Sequence, residues 1–189
     1  MLQLFSTVFK RLKLDDVKIR VNHRKVLNKI ADHLGLKNDF NEFLVVLDKI
    51  DKIGIDKVKD ELKSKFTKLK GLDKLFELIS KKVSPKIYLE NLRDNYLNTD
   101  DNALLDELQT LVNLINDDNN LIDIDFDFSL VRGLEYYTGL IYEISLDSKS
   151  DVGSLGGGGR YENLTEAFNL RDNSGIGISF GLDRIYHVI

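Results

Sequence analysis

LIDIDFDFSLVRGLEYYTGLIYEISL, Leu121 to Leu146, carries two patterns of period two in series. In its first part Ile122, Ile124, Phe126, Phe128 and Leu130 alternate with Asp123, Asp125 and Asp127. That is the signature of a strand with one buried face. Aspartates on a shared face fit either a metal-ligand set or the solvated outer face of an antiparallel sheet. The second part, 135–146, predicts another strand. Tyr137, Gly139, Ile141 and Glu143 share one face, and Tyr136, Leu140, Tyr142 and Ile144 the other.

Downstream, GSLGGGGRYENLTEAFN (153–169) reads as a glycine loop entering a short helix, GIGISF (175–180) as a further strand, and GLDRIYHVI (181–189) as the start of a helix. Upstream, DVKIRVN (16–22) alternates Val17, Ile19 and Val21 against Lys18 and Arg20, a half-buried strand. Helical spacing covers 2–12 before it. After it, Asn22 is placed to cap HRKVLNKIADHLG, which stops at Gly35. Apolar residues then recur at three- and four-residue steps over 38–54, 55–69, 72–82 and 101–115, with the single proline, Pro85, as a break. The predicted organisation is a core segment at 1–39, a helical insertion at 40–120 and a sheet-bearing core at 121–189. Helices gathered apart from antiparallel strands make the fold class α+β.

The 189 residues suit one large domain or two small ones. With no cysteine, disulfides, thiol catalysis and thiolate metal sites are excluded. A formal net charge of −4 argues against bulk electrostatic binding of nucleic acid. His23, His33 and His187 are scattered, so no metal site is expected from them. The opening MLQLFSTVFKRLK has no continuous apolar core and reads as no signal peptide, and no run approaches a membrane span.

Chemistry concentrates in the last 60 residues or so. Arg132, followed by Gly133, offers a planar fork of donors suited to carboxylate or phosphate. Tyr137 can stack on a ligand while its hydroxyl hydrogen-bonds. The glycines of GGGGRY could be an ordinary loop or could admit an anion to main-chain N–H groups. Gly177 and Gly181, in and after a strand, and Arg184 in the first helical turn repeat the theme. The order of glycines is not a dinucleotide fingerprint, and there is no serine–histidine–acid arrangement. Together these residues suit a pocket for a flat anionic ligand and a small polar partner.

LVRGLEYYTGLIYE, then GGGGRYENL, then GIGISFGLDR resemble the C-terminal part of the histidyl-tRNA synthetase catalytic domain. The first two stretches are similar to that family's histidine signatures, and the third to class II motif 3. VKIRVNHRKVLNKIADHLG and the helical LDKIDKIGIDKVKDEL extend the resemblance over nearly the whole chain. It implies part of a class II antiparallel sheet with flanking helices and a helical insertion. Arg132 then corresponds to the catalytic arginine on the α-phosphate and carboxylate. Tyr137, Tyr161, Gly157, Gly158, Gly159 and Gly177 correspond to the histidine pocket, and Gly181 and Arg184 to the ATP site. The implied substrates are L-histidine, ATP with Mg2+ and, in the full-length parent, tRNA(His). The parent would be a cytoplasmic homodimer with no membrane association.

The resemblance starts after motifs 1 and 2 and stops before an anticodon-binding domain. It therefore implies a fragment that does not aminoacylate alone. The same residues are compatible with a histidine-sensing regulatory subunit of ATP phosphoribosyltransferase, with a non-catalytic synthetase-like interaction domain, or with a fragment that self-associates through exposed strand edges. The intact RGLEYYTG, Arg132 and Arg184 favour the synthetase.

Overall fold

A computed structural model describes residues 1–117, 122–132, 137–147, 152–161, 169 and 173–189. The chain opens with α1 (Leu2–Arg11), where Phe5 and Phe9, one turn apart, are fully buried. Each such burial is worth about 1.5–3 kcal/mol. β1 (Val17–His23) buries Val17, Ile19 and Val21 as the alternation predicts. α2 (Arg24–Leu34) ends at Gly35, whose φ of 84° is the left-handed helix stop.

The cap of α2 is His23, not Asn22: the Lys25 N–H donates to His23 Nδ1 at 3.1 Å. Asn22 is instead a buried junction. Its side-chain oxygen accepts from the His23 N–H at 2.8 Å and the Tyr88 hydroxyl at 2.9 Å, and its Nδ2 donates to the Leu130 carbonyl at 3.0 Å. Burial consumed the polar side chain that a local reading assigned to capping.

Helices then follow in series: α3 (Phe40–Leu47), α4 (Ile50–Ile53), α5 (Ile55–Lys65), α6 (Leu72–Ile79), α7 (Pro85–Tyr96) and α8 (Asn102–Asp117). Two depart from expectation. The single helix expected over 38–54 is divided between α3 and α4 by a turn at Asp48 and Lys49, because apolar spacing runs on through the turn and hides it. Pro85 does not merely break a helix. It occupies the first turn of α7, where its missing N–H costs nothing, behind a Ser84 cap.

The strands β1, β2 (Asp123–Phe126), β3 (Leu140–Leu146), β4 (Gly156–Tyr161) and β5 (Gly175–Phe180) form one sheet in the order β2-β1-β3-β4-β5. A last helix, α9 (Leu182–Val188), follows β5. β2 pairs with β1 in parallel, and every other pairing is antiparallel. The antiparallel setting expected for 121–130 is thus corrected: a parallel pair needs a long crossover, and α2 to α8 supply it. The second strand starts at Leu140 rather than 135; Thr138 and Gly139 instead both aim their N–H groups at the Arg160 carbonyl. The glycine loop is also corrected, since Gly156–Tyr161 is a strand bonded on both sides. The short helix expected after it lies outside the described residues.

The two faces of the sheet differ. One packs its apolar residues against helices; Phe5 meets the rings of Tyr142 and Phe180 at 5.6 and 4.8 Å. The other carries a polar row. Cross-strand register places Asp125, Arg20, Glu143, Gly157 and Ser179 side by side on β2, β1, β3, β4 and β5.

Candidate active site

The glycines of β4 exist to be covered. A methyl group at Gly157 would lie 2.9 Å from Arg132 Nη1, and one at Gly159 would lie 2.6 Å from Tyr137 Cδ1. Arg132 and Tyr137 therefore lie flat on the polar sheet face, one pleat repeat apart, in space that only glycine leaves open. Tyr161 similarly covers Gly175 and Gly177 on β5. Gly158 faces the other way. Above it the Tyr142 hydroxyl donates to the Gly177 carbonyl at 2.7 Å, and burial raises the Tyr142 pKa above its ordinary value.

Arg132 is anchored from the side as well as from below. Its Nη1 donates to Glu143 Oε2 at 3.0 Å. The other oxygen, Oε1, accepts from Arg20 Nη2 at 2.6 Å. Arg20 in turn reaches Asp51 Oδ2 at 2.6 Å and Asp127 Oδ2 at 3.4 Å. Burial opposes the Arg20 charge, but its contacts with Asp51, Glu143 and Asp127 outweigh that cost and hold its pKa above the usual range.

These contacts also account for the aspartate face. Asp127 engages Arg20, while Asp123 and Asp125 each sit 3.7 Å from Lys18 Nζ. Among the described residues no group of three or more acidic or histidine side chains could hold a metal ion.

Gly181 caps α9 just after β5, and Arg184 lies in the first turn of that helix. Gly181 donates its N–H to the Leu155 carbonyl at 2.8 Å, and Arg184 Nη1 donates to the Ser154 carbonyl at 2.7 Å. A cleft of about 670 Å³, lined by Arg20, Glu143, Ser154 and Arg184, separates this part of the sheet from α4 and α6. The sequence-predicted residues thus form a line along β4 and the residues just before it: Tyr137 at Gly159, Arg132 at Gly157 and Arg184 at Ser154. The stations of Tyr137 and Arg132 are two residues, about 7 Å, apart along the strand, and Ser154 lies three residues before Gly157. Gly133 and Tyr136 fall outside the described residues. Glu143 and Arg20 were legible only as members of polar strand faces; nothing in the sequence pointed to their sharing one ion-pair chain.

This geometry can be set beside known proteins. Residues 1–185 match the histidyl-tRNA synthetase family. The chain belongs to that family.

Within the histidyl-tRNA synthetase family, the chain is 40% identical over 189 residues to a histidine–tRNA ligase of Christiangramia forsetii, covering 99% of the chain and 41% of that protein. It is 39% identical over 191 residues to the ligase of Flavobacterium johnsoniae, covering 40% of it. The chain therefore spans about two fifths of the length of the curated relatives it matches. The crystal structure of histidyl-tRNA synthetase from Nostoc sp. PCC 7120 superposes with a TM-score of 0.79 at 27% identity, over 100% of this chain and 47% of that one. An ATP phosphoribosyltransferase regulatory subunit/histidyl-tRNA synthetase from Bacillus halodurans shares the fold, with a TM-score of 0.78 at 22% identity over 98% of this chain and 47% of that one. The α+β architecture of the histidyl-tRNA synthetase family is accordingly the one seen here.

Proposed function

We propose that this chain carries the part of a histidine–tRNA ligase that holds histidine and ATP for formation of histidyl-adenylate. The observation that carries the reading is the line of Tyr137 and Arg132 over the glycine-rich strand with Arg184 on the segment that leads into it. Tyr137 and Tyr161, above Gly157–Gly159 and Gly177, would enclose the imidazole. Arg132 would meet the carboxylate and the α-phosphate. Arg184 and Gly181 would hold ATP, which enters as its magnesium complex through its own phosphate oxygens.

A carboxylate oxygen of histidine attacks the α-phosphorus. The new P–O bond forms as the bond to pyrophosphate breaks, and the electron pair leaves with pyrophosphate. Two anions must approach and negative charge grows on the α-phosphate, so a fixed guanidinium lowers the barrier. Holding both reactants in line supplies the rest. Arg132 suits this role because Glu143 and the sheet fix it before the substrates arrive. The sharing of Glu143 with Arg20 leaves positive charge on Arg132 for a ligand.

The second step, transfer of histidine to the 3′ end of tRNA(His), belongs to the complete ligase. In this reading residues 40–120 form an insertion within the catalytic core. The complete protein is a homodimer in the cytoplasm, and the 189-residue chain does not aminoacylate by itself. Among the described residues no helix is long and apolar enough to cross a membrane.

The test is histidine-dependent ATP–pyrophosphate exchange by the purified chain, together with calorimetric titration of a non-hydrolysable histidyl-adenylate analogue. Arg132→Ala serves as control. Analogue binding lost in Arg132→Ala supports the reading, with or without exchange. Wild-type binding of the analogue by Arg132→Ala overturns it. Binding of histidine alone, with neither exchange nor affinity for the analogue, points to a histidine-sensing module instead.

A further inference from the structure

Arg20 lies on β1, two strands away from the β4 glycine that Arg132 covers. It nonetheless governs the carboxylate on which Arg132 rests. The contacts form a continuous chain: Asp51 Oδ2 to Arg20 Nη2 at 2.6 Å, Arg20 Nη2 to Glu143 Oε1 at 2.6 Å, and Glu143 Oε2 to Arg132 Nη1 at 3.0 Å. Asp127, 3.4 Å from Arg20 Nη1, completes the grip, and its own Oδ1 accepts from the Ser129 N–H and hydroxyl at 2.7 and 2.6 Å. Glu143, Arg20, Asp127 and Arg132 are about one-fifth exposed, with side-chain values of 18, 21, 20 and 20%, so their attractions are only partly screened. Asp51, by contrast, is 61% exposed and comes from α4, outside the sheet.

We infer that Arg20 is a positioning residue for Arg132, and that Asp51 ties the helical segment to the same arginine. The inference rests on the reading that Arg132 meets the substrates. The physical reason lies in the two oxygens of Glu143. An arginine fork and a carboxylate prefer to form two parallel hydrogen bonds. Left alone, Glu143 would offer both oxygens to Arg132, turn its guanidinium and cancel its charge. By taking Oε1, Arg20 limits Glu143 to one bond with Arg132. The second edge of Arg132 then stays free to receive an anion over Gly157. Asp51 and Asp127 keep Arg20 from following Glu143 when a ligand arrives. The turn at Asp48 and Lys49, which separates α4 from α3, is what brings Asp51 within reach. A displacement of α4 therefore acts on Arg132 through Arg20 and Glu143.

The experiment combines two readouts on the 189-residue chain. The first is the side-chain guanidinium resonance of Arg132 in nitrogen–proton correlation spectra, assigned by its disappearance in Arg132→Lys. The second is calorimetric affinity for the histidyl-adenylate analogue. In Arg20→Gln the Arg132 resonance shifts, and affinity falls on the order of tenfold as the guanidinium leaves its working geometry. Arg20→Lys, which keeps a cation on Oε1, recovers part of that loss. Asp51→Asn, altered at an exposed partner and so safe for folding, shifts the Arg132 resonance less and in the same direction.

An unmoved Arg132 resonance in both Arg20→Gln and Asp51→Asn overturns the positioning role, as does wild-type affinity in Arg20→Gln when Arg132→Lys has lost it. Wild-type affinity in Arg132→Lys overturns the underlying reading instead. If the wild-type chain does not bind the analogue, the resonance alone decides.

Discussion

Replacing Gly157 by alanine tests the site more sharply than removing a charged residue. The added methyl would lie 2.9 Å from Arg132 Nη1 and 2.8 Å from the Tyr142 carbonyl. An ordinary contact of this kind is about 3.5 Å, so the guanidinium must retreat by roughly 0.6 Å. Misplacing a reacting group by about 1 Å costs on the order of a hundredfold, so a shift of this size predicts a loss of about tenfold, or ~1.4 kcal/mol, in affinity for the adenylate analogue. Gly156→Ala is the matched control. Its methyl would meet the Ser179 carbonyl at 2.7 Å and Phe5 Cε1 at 3.2 Å, on the opposite face of the same strand. Both variants overpack β4 and should lose about 1–3 kcal/mol of stability, a fall of about 5 °C in Tm for a chain of this size. Only Gly157→Ala should also lose ligand. Calorimetric titration and thermal denaturation of both variants measure the two effects. Wild-type affinity in Gly157→Ala, or equal affinity losses in the two, would refute the claim that glycine is there to let Arg132 lie on the sheet.

Other outcomes follow from the same geometry. Asn22→Ala strands the buried Tyr88 hydroxyl and the Leu130 carbonyl, so urea denaturation should show a loss of about 3 kcal/mol at ~1–3 kcal/mol for each unpaired group; adding Tyr88→Phe should return part of it. His23 is 1% exposed, and burial lowers its pKa from 6.5 despite the nearby Glu107 carboxylate. A histidine whose folded pKa lies below its unfolded value binds its proton more readily when unfolded. Stability should therefore fall as pH drops below about 6.5, and the urea midpoint at pH 5.5 should lie below that at pH 7.5. His23→Asn keeps an acceptor for the helix cap and should flatten that difference. Ser84→Ala removes a cap bond to the Ile87 N–H that is long, at 3.4 Å. Its cost should sit near the low end for such bonds, about 0.5 kcal/mol, read as a small drop in Tm.

Much of the fold was legible along the chain because alternation and helical spacing are local properties. Val17, Ile19 and Val21 are buried as their spacing requires, and Gly35 stops α2 where a helix stop was expected. Glycine carries no such signal. With no side chain to alternate, Gly156–Gly159 reads equally as loop or strand, and only bonding to β3 and β5 decides between them. α7 was hidden for a related reason: a proline is a barrier inside a helix and an asset at its first turn, and position relative to the cap selects which.

The sequence by itself determined the family through LVRGLEYYTGLIYE, GGGGRY and GIGISFGLDR, and with it the identity of Arg132, Tyr137, Tyr161 and Arg184 as candidates. Residue types in a fixed order survive without knowledge of their neighbours. The tertiary structure alone decided what those residues rest on. Arg20 and Glu143 are 123 positions apart, and they meet because β1 lies beside β3 in one particular register. A shift of that register by one residue would turn Glu143 to the helix-covered face and leave Arg132 without its anchor. Ion pairs between strands depend on register, and register is set by the packing of the whole sheet.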